Sequence, residues 1–373
     1  MRTNKQIAWI TIPAYISVDR FVIPEISKIY NVDWYLLRKD SEKIDFEREL
    51  LDLKDTNKIN LKIIDIKYKN SDFRIIKDYY RFLKSLKNQY DIYYTVMFGM
   101  PFYMPILYAI LGKQNTIVAI HNVHVPKGAS NYYFSKLYNF FTVNKFDYFQ
   151  TFSKSQNEYL LSKKPKKHSM STSFALINYG EIKQKSQTEI VTFLSFGYIR
   201  DYKRIDVLIL AAQKAYEITK TNFKVIIAGS CDDWDKYNNL IKYPFLFKLI
   251  IRRIDEKEIP LLFEESDYFV APYQDIAQSA SIVLALNYNK PIIGSKLDAF
   301  KDYIIDKETG FFIKPANYED LTRVFVYVLN NHSNIYSYLS DNIIELKKKE
   351  FSLDAIVNNY VMNIDYVLKN GRR

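Results

Sequence analysis

The chain is poor in the residues that cross-link a fold or break it. Cys231 is the one cysteine among 373 residues, which excludes an internal disulfide framework and any cysteine-based zinc site, and suits a reducing cytoplasm. Glycine (9) and proline (11) are scarce, so neither a fibrous repeat nor a low-complexity disordered chain fits, and no internal repeat of fixed period is present. The first residues, Met1 to Pro13, lack the long apolar core and small-residue cleavage site of a signal peptide, so secretion is not expected. A long uncharged stretch, Ile92 to Leu111, approaches the ~20 residues of a membrane-spanning helix. Gly99, Pro101 and Pro105 interrupt it, and it reads instead as a buried strand followed by a helix.

What is abundant is apolar and aromatic: 48% of residues are hydrophobic and 16% aromatic, enough for two domains with substantial cores. The net charge of +11 is unevenly placed. Residues 1–186 hold 29 Lys and Arg against 17 Asp and Glu, whereas the remainder is close to neutral. A basic N-terminal half suits an anionic membrane, a phosphate-bearing lipid acceptor or nucleic acid, or simply keeps the chain soluble. Most lysines are dispersed, but Lys163, Lys164, Lys166 and Lys167 cluster around Pro165. No nucleic-acid-binding motif accompanies the charge, so nucleic acid is not an expected partner.

Short β-branched or aromatic runs alternate with amphipathic stretches, the pattern of βα units around a parallel sheet. In the first half, strands are predicted at Ile7 to Ile12, Asp33 to Leu37, Leu61 to Ile66, Asp91 to Val96, Thr116 to Ile120 and Tyr148 to Thr151. Phe73, Ile76, Tyr80, Leu83 and Leu86 recur at helical spacing between the third and fourth. A polar stretch at 181–188 reads as a linker. The second alternation predicts strands at Ile190 to Phe196, Lys224 to Ala228, Leu249 to Ile251, Tyr268 to Ala271 and Pro291 to Gly294. Helices are predicted at Arg204 to Glu217, Glu256 to Glu264, Ser279 to Asn287 and Tyr318 to Leu329, with a terminal helix at Leu353 to Leu368. The expected domains are therefore 1–180, 189–350, and a terminal 351–373 helix able to pack back on the first. Both domains are α/β and Rossmann-like, and in such sheets ligands sit at the carboxyl ends of the strands.

Three constellations lie at such ends. Phe196-Gly197-Tyr198-Ile199-Arg200-Asp201-Tyr202-Lys203 leaves a strand through a glycine turn and places two cations there. Arg grips phosphate oxygens with a planar fork and Lys with a point charge, so Arg200 and Lys203 suit a diphosphate, although for this loop taken alone a solvated basic turn is the better explanation. Next, Ala271-Pro272-Tyr273-Gln274-Asp275-Ile276-Ala277-Gln278-Ser279-Ala280-Ser281 leads into a helix whose first N–H groups form an anion site, with Ser279 able to cap it. Third, His121-Asn122-Val123-His124 follows a strand and holds two of the chain's 4 histidines. An imidazole there can bond a sugar hydroxyl or phosphate, or serve as acid or base, and His121 is the preferred candidate. Two histidines alone are not a metal site.

With these residues in order, the chain resembles the GT-B glycosyltransferases of glycosyltransferase family 4, over nearly the whole second half and more loosely over the first. Gly197 to Lys203 is similar to the family's Gly-x-[Ile/Leu]-x-x-x-Lys element, and Pro272-Tyr273 followed by Gln278-Ser279 to a variant of its donor loop. Asn289 to Ile293, Asp302, Glu308-Thr309-Gly310-Phe311 and Lys314-Pro315 continue the similarity. The resemblance implies a GT-B architecture of two Rossmann-like domains with an interdomain cleft, and sugar transfer with retention of configuration. It implies that Arg200, Lys203 and His121 take catalytic roles. It also implies that Gly197, Arg253, Ile254, Tyr273, Gln278, Ser279, Ala280 and Ser281 bind the donor. Asn122, His124 and Tyr15 would face the acceptor or sugar. The chain departs from the family in carrying Ile276 and Leu284 where many members have two glutamates, the second of which holds the ribose, and Ala14-Tyr15-Ile16-Ser17 where a Gly-Gly loop is common.

The expected activity is transfer of a sugar from a nucleoside-diphosphate sugar to a glycan or lipid-diphosphate-linked acceptor, in the synthesis of a cell-surface polysaccharide such as capsule or O-antigen. The enzyme would be cytoplasmic, touching the inner face of the membrane peripherally, and would need no metal or other cofactor. A non-catalytic transferase-like subunit and a sugar-nucleotide epimerase on the same fold are the alternatives.

Overall fold

The computed structural model describes residues 3–39, 47–56, 59–68, 72–96, 102–124, 132–173, 176, 179–182, 190–276 and 279–371. The chain divides into two compact units, Met1–Ala175 with Phe351–Arg373, and Leu176–Glu350.

The first unit alternates β1 (Gln6–Thr11), α1 (Ile16–Ser27), β2 (Asn31–Lys39), α2 (Glu47–Asp55), β3 (Asn60–Ile66), α3 (Ile75–Leu86), β4 (Ile92–Val96), α4 (Tyr103–Leu111), β5 (Thr116–Ile120), α5 (Tyr132–Lys145), β6 (Tyr148–Thr151), α6 (Lys154–Lys163) and β7 (His168–Ser171). Its seven strands pair in the order β3-β2-β1-β4-β5-β6-β7, every pair parallel. The strands are apolar on both faces because helices cover both: Ile7 and Trp9 of β1 enter one core layer, Ala8 and Ile10 the other. Helix α3 buries Ile75, Tyr79, Phe82, Leu83 and Leu86, one side of a 3.6-residue repeat. Ser153 starts α6 by accepting the Gln156 N–H at 3.2 Å.

The second unit contains β8 (Val191–Phe196), α7 (Ile205–Thr219), β9 (Phe223–Ala228), α8 (Asp235–Asn238), β10 (Phe247–Ile250), α9 (Ile259–Glu265), β11 (Tyr268–Ala271), α10 (Ala280–Asn287), β12 (Ile292–Ser295), β13 (Gly310–Ile313) and α11 (Tyr318–Leu346). Its parallel sheet runs β10-β9-β8-β11-β12-β13. In each sheet the strand order reverses beside the unit's first strand, between β1 and β4 and between β8 and β11. Doubly wound sheets bind ligands at that point.

The terminal helix α12 (Leu353–Asn370) belongs to the first unit's core. Ile356, Tyr360, Ile364 and Val367 pack with Trp9, Ile16 and Tyr94, and Tyr360 lies 5.4 Å from the Trp9 ring. Buried Asn363 donates to Phe149 O at 3.0 Å and to Gln150 Oε1 at 2.9 Å. Replacing Asn363 by leucine would strand those acceptors at about 1–3 kcal/mol.

Several elements differ from the sequence expectation. Strands β7 (His-Ser-Met-Ser) and β13 (Gly-Phe-Phe-Ile) lie outside the sequence expectation: β7 holds no β-branched or aromatic residue and β13 opens on a glycine, so pairing with β6 and β12 supplies what composition does not. Helix α11 continues seventeen residues beyond Leu329, to Leu346, burying Leu339 and Ile343 on the way. Strand β10 lies two residues earlier at its start than predicted, at Phe247.

Candidate functional site

The glycine loop begins where β8 ends. The Gly197 N–H donates to Ala228 O at 2.9 Å and the Ile199 N–H to Ser230 O at 2.8 Å, so the loop is held against the end of β9. Gly197 has φ +105°, in the region that favours glycine. Gly229, which sequence reasoning missed, explains the close approach: a β-carbon on it would lie 2.3 Å from Gly197 O. Its signal was present, a glycine directly after a predicted strand.

Lys203 closes the loop. Its side chain is buried, its Nζ donates to Phe196 O at 3.3 Å, and it lies 5.6 Å over the Tyr273 ring. No carboxylate among the described residues pairs with it, and burial alone lowers its pKa from 10.5 to about 8. A β-carbon on Gly197 would stand 2.9 Å from both the Lys203 Nζ and the Ser281 Oγ. One cation and one hydroxyl therefore converge on the bare glycine.

Ser281 arrives from the neighbouring strand. β11 pairs with β8, and its chain continues through Tyr273 to α10. Ser279 occupies the position before that helix in extended conformation, but its hydroxyl makes no capping bond, contrary to the capping role open to it in the sequence. The Ile282 and Val283 N–H groups donate to the Ser279 carbonyl at 3.2 and 3.3 Å, so the helix start is met by backbone rather than by the serine hydroxyl. The Tyr273 hydroxyl, fully buried, faces Ser279 and Ser281 without a hydrogen bond of normal geometry among the described residues. Burial pushes its phenol well above the ordinary tyrosine range.

The other second-unit candidates are less tightly gathered. Arg200 is exposed and stacks 4.8 Å over Tyr198 rather than beside Lys203. Ala280 is exposed, as is Arg253, while Ile254 is half-buried, these last two following β10. Gln278 lies outside the described residues. Leu284 is buried in α10. The Gly310 of the Glu-Thr-Gly stretch serves packing, since a β-carbon there would meet Ile292 O at 2.0 Å.

In the first unit, His121 follows β5, half-buried, 6.2 Å from the Phe152 ring, and burial draws its imidazole from 6.5 down to about 4. It is neutral at physiological pH. Asn122 presents a buried Oδ1 with no partner among the described residues, and its backbone carbonyl accepts from Asn139 Nδ2. His124 is exposed, its ring 5.1 Å from Tyr159. Tyr15, buried after β1, lies 5.7 Å from Phe152.

Two parallel α/β sheets with interleaved helices define a GT-B-type fold. Residues 180–346 match the family described as Glycosyl transferases group 1. A glycosyltransferase from Rickettsia africae superposes with a TM-score of 0.70 at 14% identity, over 99% of this chain and 100% of that one. Sucrose-phosphate synthase from Thermosynechococcus elongatus gives 0.69 at 14% identity, over 98% and 100%. Anabaena HepE in complex with UDP and glucose gives 0.66 at 11% identity, over 97% and 100%. A protein of the cps region of Klebsiella pneumoniae is 25% identical over 178 residues, 47% of this chain and 46% of its own length. The match thus spans about half of that curated relative.

Proposed function

We propose that the protein is a glycosyltransferase that takes a sugar from a nucleoside-diphosphate sugar, and that the donor's diphosphate is received beside Gly197. The observation that carries this reading is Lys203: a buried lysine with no carboxylate partner among the described residues, converging with Ser281 on a bare glycine at the switch point of the sheet. Buried charges are ordinarily paired, and an anion would complete this one. The lysine and the α10 helix start would then offset the negative charge that develops on the leaving diphosphate. The glycosyl transferases group 1 match and the UDP complex of the HepE neighbour support a nucleotide-sugar donor.

Arg200, exposed at the same loop, would reach the outer phosphate, and Arg253 and Ile254 would lie near the base. Neutral His121 would hydrogen-bond the transferred sugar, with Asn122, His124 and Tyr15 on the acceptor side. Transfer with retention of configuration and without metal is part of this reading, as is Gln278 as a donor contact. The cps-region relative motivates a role in surface-polysaccharide synthesis, with a lipid-diphosphate-linked glycan as acceptor at the inner membrane face.

Calorimetric titration with UDP, GDP, ADP and their sugars tests the donor site. One of them should bind the native chain, bind Lys203→Ala more weakly, and bind equally well with chelator present; if none binds, the assignment falls. Anomeric analysis of the product by NMR tests retention. Leu284, apolar where an acid would grip ribose, favours one second reading, a transferase-like subunit that binds nucleotide without turnover.

A further inference from the structure

Helix α5 is apolar on the side turned to water. Tyr133 is 85% exposed, Leu137 68% and Phe140 68%, and they recur at i, i+4 and i+7 as one row along the helix, with Phe134 beside it. Thr142 and Val143 on the other side are buried against the unit. A helix apolar on both sides is ordinarily enclosed, and contiguous exposed aromatic surface marks an interaction site.

The next position of the row, i+11, is Asn144. Its Oδ1 accepts Lys164 Nζ at 2.6 Å and its backbone carbonyl accepts Lys167 Nζ at 3.4 Å. The row therefore runs into the lysine cluster around Pro165, where Lys163 and Lys166 are exposed. Lys145, at the same end, is exposed over the Tyr108 ring. Residues 132–167 hold seven lysines and two acids, Asp147 and Glu158, and Asp147 is occupied by Lys113 and Lys167.

We propose that this face docks peripherally on an anionic phospholipid surface, the aromatic row entering the boundary between headgroups and acyl chains and the lysines meeting lipid phosphates. A second copy of the chain is a poorer occupant, because it would bring a second strongly basic half, 29 Lys and Arg against 17 Asp and Glu in residues 1–186, against the first. Among the described residues no helix is long and apolar enough to cross a membrane. The proposal rests on the membrane-borne acceptor of the reading above and is independent of its donor site.

The test is sedimentation of the full chain with phosphatidylcholine vesicles and with vesicles of equimolar phosphatidylglycerol and phosphatidylcholine. Binding is expected to the anionic vesicles only. The pairs Leu137→Glu with Phe140→Glu, and Lys163→Gln with Lys166→Gln, should each weaken it by at least about tenfold, while leaving nucleotide binding by calorimetry unchanged. Indifference of the native chain to vesicle charge, or binding that both pairs retain, overturns the proposal. A concentration-dependent dimer dissolved by Leu137→Glu also overturns it and assigns the face to a second copy. Vesicle binding without binding of any nucleotide would uphold this surface while the donor reading fails.

Discussion

The Lys203 ammonium rests against the bare α-carbon of Gly197, where an added β-carbon would come within 2.9 Å of Nζ. Side chain and glycine are coupled: the lysine needs the space that the glycine leaves, and the glycine's φ of +105° needs no side chain. Gly197→Ala should therefore lose both properties. Strain at that φ should lower unfolding free energy by about 1–3 kcal/mol. Denaturant melts and nucleotide titration of the same variant would measure the two losses, and a variant equal to the native chain in both would refute the coupling.

Removing the cation should cost turnover more than folding. Lys203→Ala is expected to reduce kcat by about a hundredfold to a thousandfold, the range found when one preorganised charge-stabilising donor is lost. Lys203→Arg should not restore it, because the guanidinium is larger than a space already tight for one carbon. Steady-state transfer assays on the two variants give the comparison.

The Lys203 charge also sets a pH dependence. Its pKa is about 8 in the folded chain against an ordinary 10.5, so between these values the unfolded chain binds more protons. Stability should consequently rise as pH increases from about 8 to about 10.5, by roughly 3 kcal/mol at most. Donor affinity should move oppositely, falling as pH passes about 8, and binding above that pH should take up a proton. Calorimetry in buffers of differing ionisation enthalpy would register the uptake, and its absence in Lys203→Ala would assign it.

His121 should contribute no titration near neutrality. With its pKa near 4, the imidazole acts in neutral form, so kcat/KM should show no limb around the ordinary histidine value of 6.5 that His121→Asn removes. The pH profiles of the native chain and the variant decide the point.

Asp19 on α1 is a separate case. It is buried in the first unit with its Oδ2 unpartnered among the described residues, facing the Thr11 hydroxyl that also accepts from Trp34 Nε1 at 2.7 Å. Burial raises its pKa from 3.8 to about 7, although Thr11 and Trp9 oppose the shift. The folded state holds this proton where the unfolded chain has lost it, so stability should decline as pH rises from 3.8 to about 7. Asp19→Asn should flatten that slope and raise stability at alkaline pH by an amount on the order of a few kcal/mol, with Tm rising accordingly. Thermal melts across pH would show it.

The sheet strands and the loops at their ends were legible because βα units write themselves locally: Ile-Tyr-Tyr-Thr-Val and Thr-Ile-Val-Ala-Ile are buried throughout, and Gly197 and Ser279 follow such runs. The four-residue β7 and β13 were not, since His-Ser-Met-Ser has no β-branched or aromatic residue and Gly310 opens β13, leaving their pairing to the neighbouring strands. Lys203 was recognisable as a cation, but Arg200, adjacent in the same motif, stacks on Tyr198 in water instead. Spacing does not distinguish the two, because burial depends on what the rest of the chain lays over each. The row on α5 was equally silent, as aromatic residues in a helix read as core until the fold leaves them outside.

Residue order by itself determined the α/β class, the two alternating halves and the strand ends where chemistry collects, because those follow from periodicity and backbone chemistry over a few residues. Tertiary structure alone decided that β8 and β11 lie side by side, bringing Lys203 and Ser281 to one glycine, and that Asn144 joins an aromatic helix face to the Pro165 lysines. These are contacts between segments about twenty to eighty residues apart, and only folding, which brings such segments into van der Waals range, creates them.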